Sequence, residues 1–429
     1  MRLPFPALLA TTAAAGLTAA LCAPLVPSAG AASSSSTASS AATTTPRSIA
    51  YTEWDTGPQL RAGTAKGARV IKGGRLAVTP TAAARRTYAG RSYQVGRWVS
   101  PWSATRFGLT ELIASWEATT PGNSWVEIEV RGRTKAGATS SYDVLGRWTS
   151  GDAYTKRQTV SGQKDDLARV SVDTWRSNAA AGLTSYQLRV SLMRLPGKPS
   201  PTVDTVGAVA SRLPSGQVAE STPGVARGTV LDVPRYSQMI HRGHYPQWGS
   251  GGEAWCSPTS TSMVLGYYRK LPRPARYSYV PSDHVDPWVD HAARMTYDHA
   301  YDGTGNWPFN TAYAAGLTGH AFVTKLRSLR EAEQFIAAGI PLVASVAFGP
   351  GELSGAPISS TEGHLLVIVG FTRSGDVVVN DPAASTRAGV LRTYDRGQLE
   401  NAWLPTTGGT VYVITDDAHP LPDTAHTNW

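Results

Sequence analysis

The chain has 429 residues, of which 41% are hydrophobic and 17% are charged, and it contains two cysteines. This length exceeds one typical domain, so we expect two domains, each long enough to bury its own core. The composition excludes a largely disordered protein. Beyond the N-terminal region no run of about 18 apolar residues predicts a transmembrane helix.

The N-terminus has the pattern of an export signal. Arg2 supplies the positive charge, residues 7–26 are apolar, and Ala29-Gly30-Ala31 is a cleavage site of small residues. We predict a signal peptide over residues 1–31 and therefore a secreted protein, extracellular or associated with the cell wall. Residues 32–48 are rich in Ser, Ala and Thr without an apolar period, which predicts a disordered leader.

Export removes Cys22 and leaves Cys256 as the only cysteine. A disulfide within one mature chain is then excluded. An unpaired thiol in an oxidising compartment invites a functional interpretation, and a buried cysteine that acts as a small hydrophobe is the alternative.

Residues 49–212 alternate between apolar and polar side chains. Val126, Ile128 and Val130 show this period of two, and a second run spans residues 186–193. Such alternation predicts half-buried strands, so we expect an all-β sandwich or jelly roll over residues 49–212. Seven tryptophans lie here, and we interpret them as core rather than as sugar-stacking platforms: Trp54, Trp98, Trp102, Trp116, Trp125, Trp148 and Trp175.

Charge divides the chain. From residue 49 to 212 there are 23 Lys and Arg against 12 Asp and Glu, a net charge of +11, and from 229 to 429 there are 14 against 18, a net charge of −4. This asymmetry predicts that the first half meets an anionic partner. A cell-wall polymer or a membrane surface is favoured over nucleic acid because the protein is exported, and the alternative is a compositional bias without a binding role. Every histidine lies in the second half. Binding of the anionic partner and catalysis are therefore expected on separable modules, joined by a linker over residues 213–228. Residues 418–429 are expected to form a tail.

The second half, residues 229–417, mixes helices and strands. Ser257 and Pro258 predict the N-cap and first residue of a helix that continues to Lys270. Ser328 begins a second helix, and strands are expected over 340–348, 365–371, 377–380 and 411–415. A helix followed by an antiparallel sheet predicts an α+β domain.

Three residues of this half suit thiol chemistry. Cys256 precedes the predicted helix, whose free N–H groups and dipole lower a thiol pKa. His364 is placed to act as its base, at the start of a predicted strand. Asp381 follows the next strand and suits the role of orienting the histidine, with Asn380 as the rival.

The oxyanion donor and the substrate contacts are less sharply defined. Gln238 is the first candidate for a side-chain amide donor, and Gln247 is the alternative. For the substrate cleft we expect contacts with Trp255, Asn306, Trp307 and Gly363.

These motifs carry a resemblance. Residues 233–238 (VPRYSQ), 255–260 (WCSPTS), 363–370 (GHLLVIVG) and 380–382 (NDP) resemble the bacteriocin-processing peptidases, and more closely their secreted "peptidase C thirty-nine-like" branch of actinobacteria. The resemblance covers about residues 229–417. It implies a papain-like fold, a triad of Cys256, His364 and Asp381, and an oxyanion glutamine at Gln238.

The sequence departs from the processing peptidases in two respects. Those enzymes carry the glutamine a few residues before the cysteine, where this chain has residues 250–255 (SGGEAW), and they are fused to membrane exporters. Cleavage after a double glycine therefore does not transfer to this chain.

We predict a secreted cysteine-type peptidase or amide hydrolase that acts through a thioester on a peptide or protein substrate, without metal or organic cofactor. The alternatives are a catalytically idle relative that binds cell wall or polysaccharide, and a transglutaminase-like acyl transferase. His241 and His244 form an H-x-x-H pair, and further ligand types follow at Asp283, His284, Asp286, Asp290 and His291. A metal site is one alternative, but no helical H-E-x-x-H or Cys spacing supports it, so we interpret these residues as solvated polar surface.

Overall fold

The computed structural model describes residues 46–164 and 166–429. These described residues form one compact unit. The predicted signal peptide and most of the predicted leader lie outside the described residues. The end of that leader is ordered, since Arg47 donates to the Leu404 carbonyl at 3.2 Å and a strand begins at Ser48.

The first half consists almost entirely of strands. Its elements are β1 (Ser48–Trp54), α1 (Gly57–Ala62), β2 (Thr64–Lys66), β3 (Ala68–Val70), β4 (Leu76–Val78), β5 (Arg85–Tyr88), β6 (Arg91–Val99), β7 (Ser103–Leu109), β8 (Glu111–Thr119), β9 (Trp125–Arg133), β10 (Asp143–Trp148), β11 (Ala168–Ser171), β12 (Thr174–Ser177), β13 (Leu183–Arg194) and β14 (Thr202–Arg212).

These strands form two antiparallel sheets. One has the order β11-β12-β8-β14-β4-β3 with β1 also on β14, and the other has the order β10-β9-β13-β6-β2 with β5 on β6 and β7 on β13. Both contribute to one buried core, into which the alternating residues of β9 point. The mostly β character predicted from the alternation is confirmed, whereas a jelly-roll strand order stays a prediction.

The tryptophans of the first half are mostly core residues. Six of the seven are at most 6% exposed, and Trp102 is partly exposed. On the other face of β9, Glu127 and Glu129 are also buried, because arginines of neighbouring strands pair with them.

The second half combines helices with one sheet. Its elements are α2 (Cys256–Tyr267), α3 (Pro287–Thr296), α4 (Trp307–Thr318), β15 (His320–Lys325), α5 (Leu329–Ala337), β16 (Leu342–Phe348), β17 (Thr361–Phe371), β18 (Val377–Asn380), β19 (Leu391–Tyr394), α6 (Arg396–Trp403) and β20 (Thr410–Thr415), with short 3₁₀ turns at Gln238–His241, Gly252–Ala254, Pro274–Arg276 and Arg387–Gly389.

The sheet of the second half is antiparallel with the order β15-β20-β16-β17-β18-β19. The predicted strands are present, but β17 begins at Thr361, so His364 lies inside the strand rather than at its start. The first helix also begins earlier than predicted. Trp255 is its N-cap and Cys256 its first residue, so Ser257 is not the N-cap and Pro258 is not the first residue of the helix.

The segment predicted as a linker is packed onto the second half. Glu333 accepts hydrogen bonds from the backbone N–H groups of Gly224 and Ala226 at 2.9 and 3.1 Å, and Ala226 is fully buried. Residues 213–228 therefore do not behave as a free spacer between two modules.

The two halves share a core. Phe309 of α4 is fully buried among the residues of the first half. Its ring packs against those of Trp116 and Trp148, with ring centroids 6.1 and 5.6 Å apart. Polar contacts add to this packing. Arg157 is buried and donates to the Arg294 carbonyl at 2.7 Å, and Lys325 lies 3.2 Å from Glu111.

Within the described residues, no helix has both the length and the apolar character needed to cross a membrane.

Candidate active site

Cys256 lies at the N-terminus of α2, which packs against the central sheet. Ser260 of this helix donates to the Leu365 carbonyl at 3.0 Å, and Ser257 lies 2.9 Å from the Tyr412 hydroxyl. These contacts fix the start of the helix against β17 and β20. Cys256 is partly exposed, and the first-turn N–H groups beside it have no partner within the helix.

His364 is held between the thiol and a carboxylate. Its Nε2 donates to Asp381 Oδ1 at 2.8 Å, and the Cys256 thiol is near enough to the ring to act on its charge. Because Asp381 occupies Nε2, Nδ1 is the nitrogen that remains for the thiol. The ring is 3% exposed, which keeps it in this orientation.

Asp381, rather than Asn380, contacts the histidine. Asp381 is fully buried and also accepts from the Tyr394 hydroxyl at 2.7 Å and from the Ala383 N–H at 3.0 Å. Asn380 donates its amide to the Val233 and Pro234 carbonyls, at 3.1 and 3.3 Å. The antiparallel pairing of β17 with β18 brings the carboxylate to the ring.

Burial and charge act in opposite directions on the histidine. Burial lowers the pKa of His364, but the negative charge and hydrogen bond of Asp381, together with the bond to Cys256, outweigh it and raise this pKa to about 10. The pKa of Asp381 is lowered: its burial acts to raise it, and the His364 charge and hydrogen bonds overcome that effect. The site therefore favours a protonated imidazole next to the thiol.

Gln238 lies behind the cysteine loop. It is 5% exposed, its Nε2 donates to the Glu253 carbonyl at 2.6 Å, and its Oε1 has no partner among the described residues. One hydrogen of the Gln238 amide therefore remains free to donate to an oxyanion. The role of Gln238 as oxyanion donor stays a prediction. Gln247, the alternative, is exposed.

A cleft of about 540 Å³ opens beside Cys256 and is lined by both halves of the chain. The turn between β11 and β12 contributes Val172 and Asp173. Val172 has φ of 55°, a left-handed conformation that costs a β-branched residue strain. Asp173 is buried and accepts from the Trp307 N–H at 2.9 Å, which fastens this turn to α4.

Two of the four expected substrate contacts line this cleft and two do not. Trp307 and Gly363 are among the lining residues. Trp255 is fully buried, with its indole N–H on the Trp248 carbonyl. Asn306 is 1% exposed and caps α4. Their side chains are used in the core and in a helix cap, so we do not expect them to touch substrate.

Sequence reasoning missed Tyr394 and the β11–β12 turn. Tyr394 follows Asp381 by 13 residues, in a strand that the sequence pattern did not single out. The turn lies in the half that contains neither Cys nor His, and only the packing of the two halves brings it to the cleft. No local sequence signal marks either contribution.

The residues interpreted as solvated polar surface are instead largely buried. His241 and Asp290 are fully buried, and His291 is 7% exposed with Nδ1 3.1 Å from the Tyr279 hydroxyl. That interpretation is wrong. The loop before Cys256 packs His241 against α3, the helix that carries Asp290 and His291.

Residues 50–211 match the Peptidase C39 N-terminal domain, and residues 230–411 match the Peptidase C39-like family. No curated protein matches the chain. One solved structure that it resembles is the crystal structure of a protein assigned as a C39-like peptidase from Bacillus anthracis, with 16% identity, a TM-score of 0.28, and coverage of 44% of this chain and 98% of that one. At that score the likeness carries no argument about this chain.

Proposed function

The chain belongs to the peptidase C39-like family, and from that premise we propose that it is a secreted cysteine peptidase with a papain-like catalytic half. The observation that carries the proposal is the chain of contacts from the Cys256 thiol through His364 to the buried carboxylate of Asp381. This is the arrangement of nucleophile, base and orienting group that thiol catalysis requires. Secretion rests on the export signal over residues 1–31.

The geometry supports a thioester mechanism. With the proton on His364, the Cys256 thiolate attacks the carbonyl carbon of an amide, and the first-turn N–H of α2 together with Gln238 stabilises the oxyanion. His364 then gives its proton to the leaving amine, and the thioester forms. Water, deprotonated by the same imidazole, attacks the thioester and releases the acid and the free thiol.

The charges of the cleft favour a cationic peptide. Three carboxylates line it, those of Asp173, Asp302 and Glu362, against one guanidinium, that of Arg176. Arg176 is already paired with Glu111 outside this set. We therefore propose peptides with Lys or Arg near the scissile bond as preferred substrates.

The test is hydrolysis of matched soluble peptides that carry either basic or acidic residues around one amide bond. Wild-type protein should cleave the basic peptides with the higher kcat/KM, and Cys256→Ala should abolish cleavage while it leaves circular dichroism unchanged. Iodoacetamide should alkylate Cys256 of the wild type faster than it alkylates a free thiol at the same pH. Cleavage that persists in Cys256→Ala would contradict the proposal.

Two arms of the same assay address the alternatives. An added primary amine that captures most of the acyl group would favour acyl transfer over hydrolysis. Slow alkylation together with no cleavage of any peptide would favour a catalytically idle protein.

For the first half we propose binding of an anionic polymer outside the cell. The guanidinium of Arg133 lies 4.0 Å from the ring of Trp102, and Arg131 lies 4.6 Å from the ring of Tyr142, which gives a partly exposed basic and aromatic surface. Retention on a purified acidic polysaccharide should fall steeply with salt, and Arg133→Ala should weaken it. The exposed Arg69, on another sheet, provides the control Arg69→Ala; equal retention of both variants would argue against this surface.

A further inference from the structure

Four side chains converge beside the loop that precedes Cys256. Asp290 of α3 is fully buried, and its Oδ1 lies 2.9 Å from His244 Nδ1 and 3.0 Å from His284 Nδ1, while its Oδ2 lies 3.0 Å from His241 Nδ1. These residues come from three segments, the turn and loop after Gln238, the loop after the Pro274–Arg276 turn, and α3 itself.

The same nitrogen of each imidazole faces the same carboxylate. One ligand atom from each of His241, His244 and Asp290 lies within 4.8 Å of the others. Ligands bound about 2.0–2.1 Å from a tetrahedral zinc ion are roughly 3.3 Å apart. The three separations between imidazole Nδ1 and an Asp290 oxygen are 2.9–3.0 Å, so these need only a small expansion to admit a metal. Three imidazoles and one carboxylate are a donor set that suits zinc and related d-block ions, and not Ca²⁺ or Mg²⁺.

Hydrogen bonding by itself leaves this cluster incompletely explained. His244 and His284 are stacked with ring centroids 3.5 Å apart, which disfavours a positive charge on both rings. Neutral imidazoles offer the lone pair that a metal binds.

Two buried atoms at the edge of the cluster have no hydrogen-bond partner among the described residues. They are Nε2 of His241 and Oδ2 of Asp286. A histidine that binds a metal through Nδ1 carries its proton on Nε2, and such a proton is usually held by a carboxylate or carbonyl oxygen. Asp286 Oδ1 already accepts from Arg387 at 2.6 Å, so Oδ2 is the oxygen that remains for such a proton.

We propose that His241, His244, His284 and Asp290 form a structural binding site for one zinc-class divalent ion. The ion would fasten the Gln238–His241 turn and the following loop to α3. His241 follows Gln238 by three residues in one 3₁₀ turn, so the ion also holds the proposed oxyanion donor in place. The side chains of His244 and His284 are 20% and 17% exposed, which leaves a route for the ion from solvent.

The test measures metal binding directly, and not activity. Because a thiolate and imidazole pair also binds zinc, the measurement uses the Cys256→Ala full-length protein, purified without a histidine tag. After exchange into metal-free buffer, Zn²⁺ binding is followed by calorimetry and elemental analysis, and Co²⁺ by the strong visible absorption of four-coordinate cobalt. We expect one ion per chain and a rise of a few degrees in the unfolding midpoint with Zn²⁺.

The variants His244→Asn and His284→Asn change partly exposed ligands, and each should weaken Zn²⁺ binding by more than about 100-fold, since even outer partners of a metal site contribute 10- to 100-fold. His426→Asn, at an exposed histidine outside the cluster, should bind as the parent does. Substoichiometric Zn²⁺ in the parent, or equal affinity in all three variants, would overturn the proposal. Neither outcome depends on whether the protein is a peptidase.

Discussion

At the scale of single residues, the catalytic proposal depends on how Asp381 acts on His364. The carboxylate fixes Nε2 as the donor and leaves Nδ1 for the thiol. Its charge also keeps the buried ring protonated to a pKa of about 10. Orientation and charge are thus supplied by one side chain, which is itself held by Tyr394 and the Ala383 N–H.

This arrangement predicts the alkaline limb of the pH profile. The imidazolium is the acid that protonates the leaving amine, so kcat/KM should fall as pH rises through about 10. In Asp381→Asn the opposing burial effect remains without the negative charge, so the limb should move to lower pH by more than one unit and kcat should fall at least about 100-fold.

The neighbouring amide offers a matched control for this prediction. Asn380→Ala removes hydrogen bonds to two backbone carbonyls, so it should lower stability and leave the alkaline limb where it is. If the alkaline limb does not move in Asp381→Asn, or if it moves in Asn380→Ala instead, then Asp381 is not the residue that orients His364.

At the scale of elements, the hairpin of β11 and β12 is the unexpected part of the site. Its turn supplies a cleft wall from a half without Cys or His, at the cost of a strained Val172. Asp173 fastens it to α4 through the Trp307 N–H, and burial raises the pKa of Asp173 to about 6. Ionised Asp173 is therefore less favourable in the folded protein than in the unfolded chain.

Asp173→Asn should stabilise the protein at pH 7.5 and not at pH 4. The folded pKa lies above the usual 3.8, so the wild type loses stability as pH rises from about 4 to 6, and the amide avoids that loss. The gain in the free energy of unfolding should be about 1–3 kcal/mol at pH 7.5, measured by urea unfolding. Asp417→Asn at an exposed position should change little, and an equal gain for Asp173→Asn at both pH values would point to repacking rather than charge.

At the scale of the whole molecule, the two halves do not behave as the separable modules that the charge asymmetry predicted. Phe309 of the second half completes the core of the first, and the cleft lies between them. The expectation that the second half alone would keep hydrolysis is therefore replaced by the expectation of one cooperative unit.

Phe309→Ala should lower the stability of both halves together, by about 3–5 kcal/mol, because it leaves a cavity against Trp116 and Trp148. Calorimetry, tryptophan near-UV circular dichroism and peptidase activity should all show one common transition at a lower temperature. Tyr154→Ala, at a ring that is 62% exposed, should leave the midpoint nearly unchanged. A variant in which only the second half melts early would restore the two-module interpretation.

Local patterns in the sequence determined the elements and the catalytic types. Alternation over residues 126–130 predicted a strand of the core because the side-chain period of a strand is two. A lone cysteine at a helix entry, with histidine and aspartate at two neighbouring strands, predicted the set that the sheet brings together. These inferences rest on spacing along the chain, which the sequence contains directly.

Only the tertiary structure decided which side chains meet across long separations. The choice of Asp381 over Asn380 depended on the register between β17 and β18. Three further features depend on segments that are distant in the chain or that share no periodic pattern. They are the burial of Trp255, the position of Asp173 in the cleft wall and the contact of His241 with Asp290. The contact of Asp173 is fixed by how the two halves pack, and those of Trp255, His241 and Asp381 by packing within the second half. Burial and close approach are properties of the folded core and not of any local run of residues.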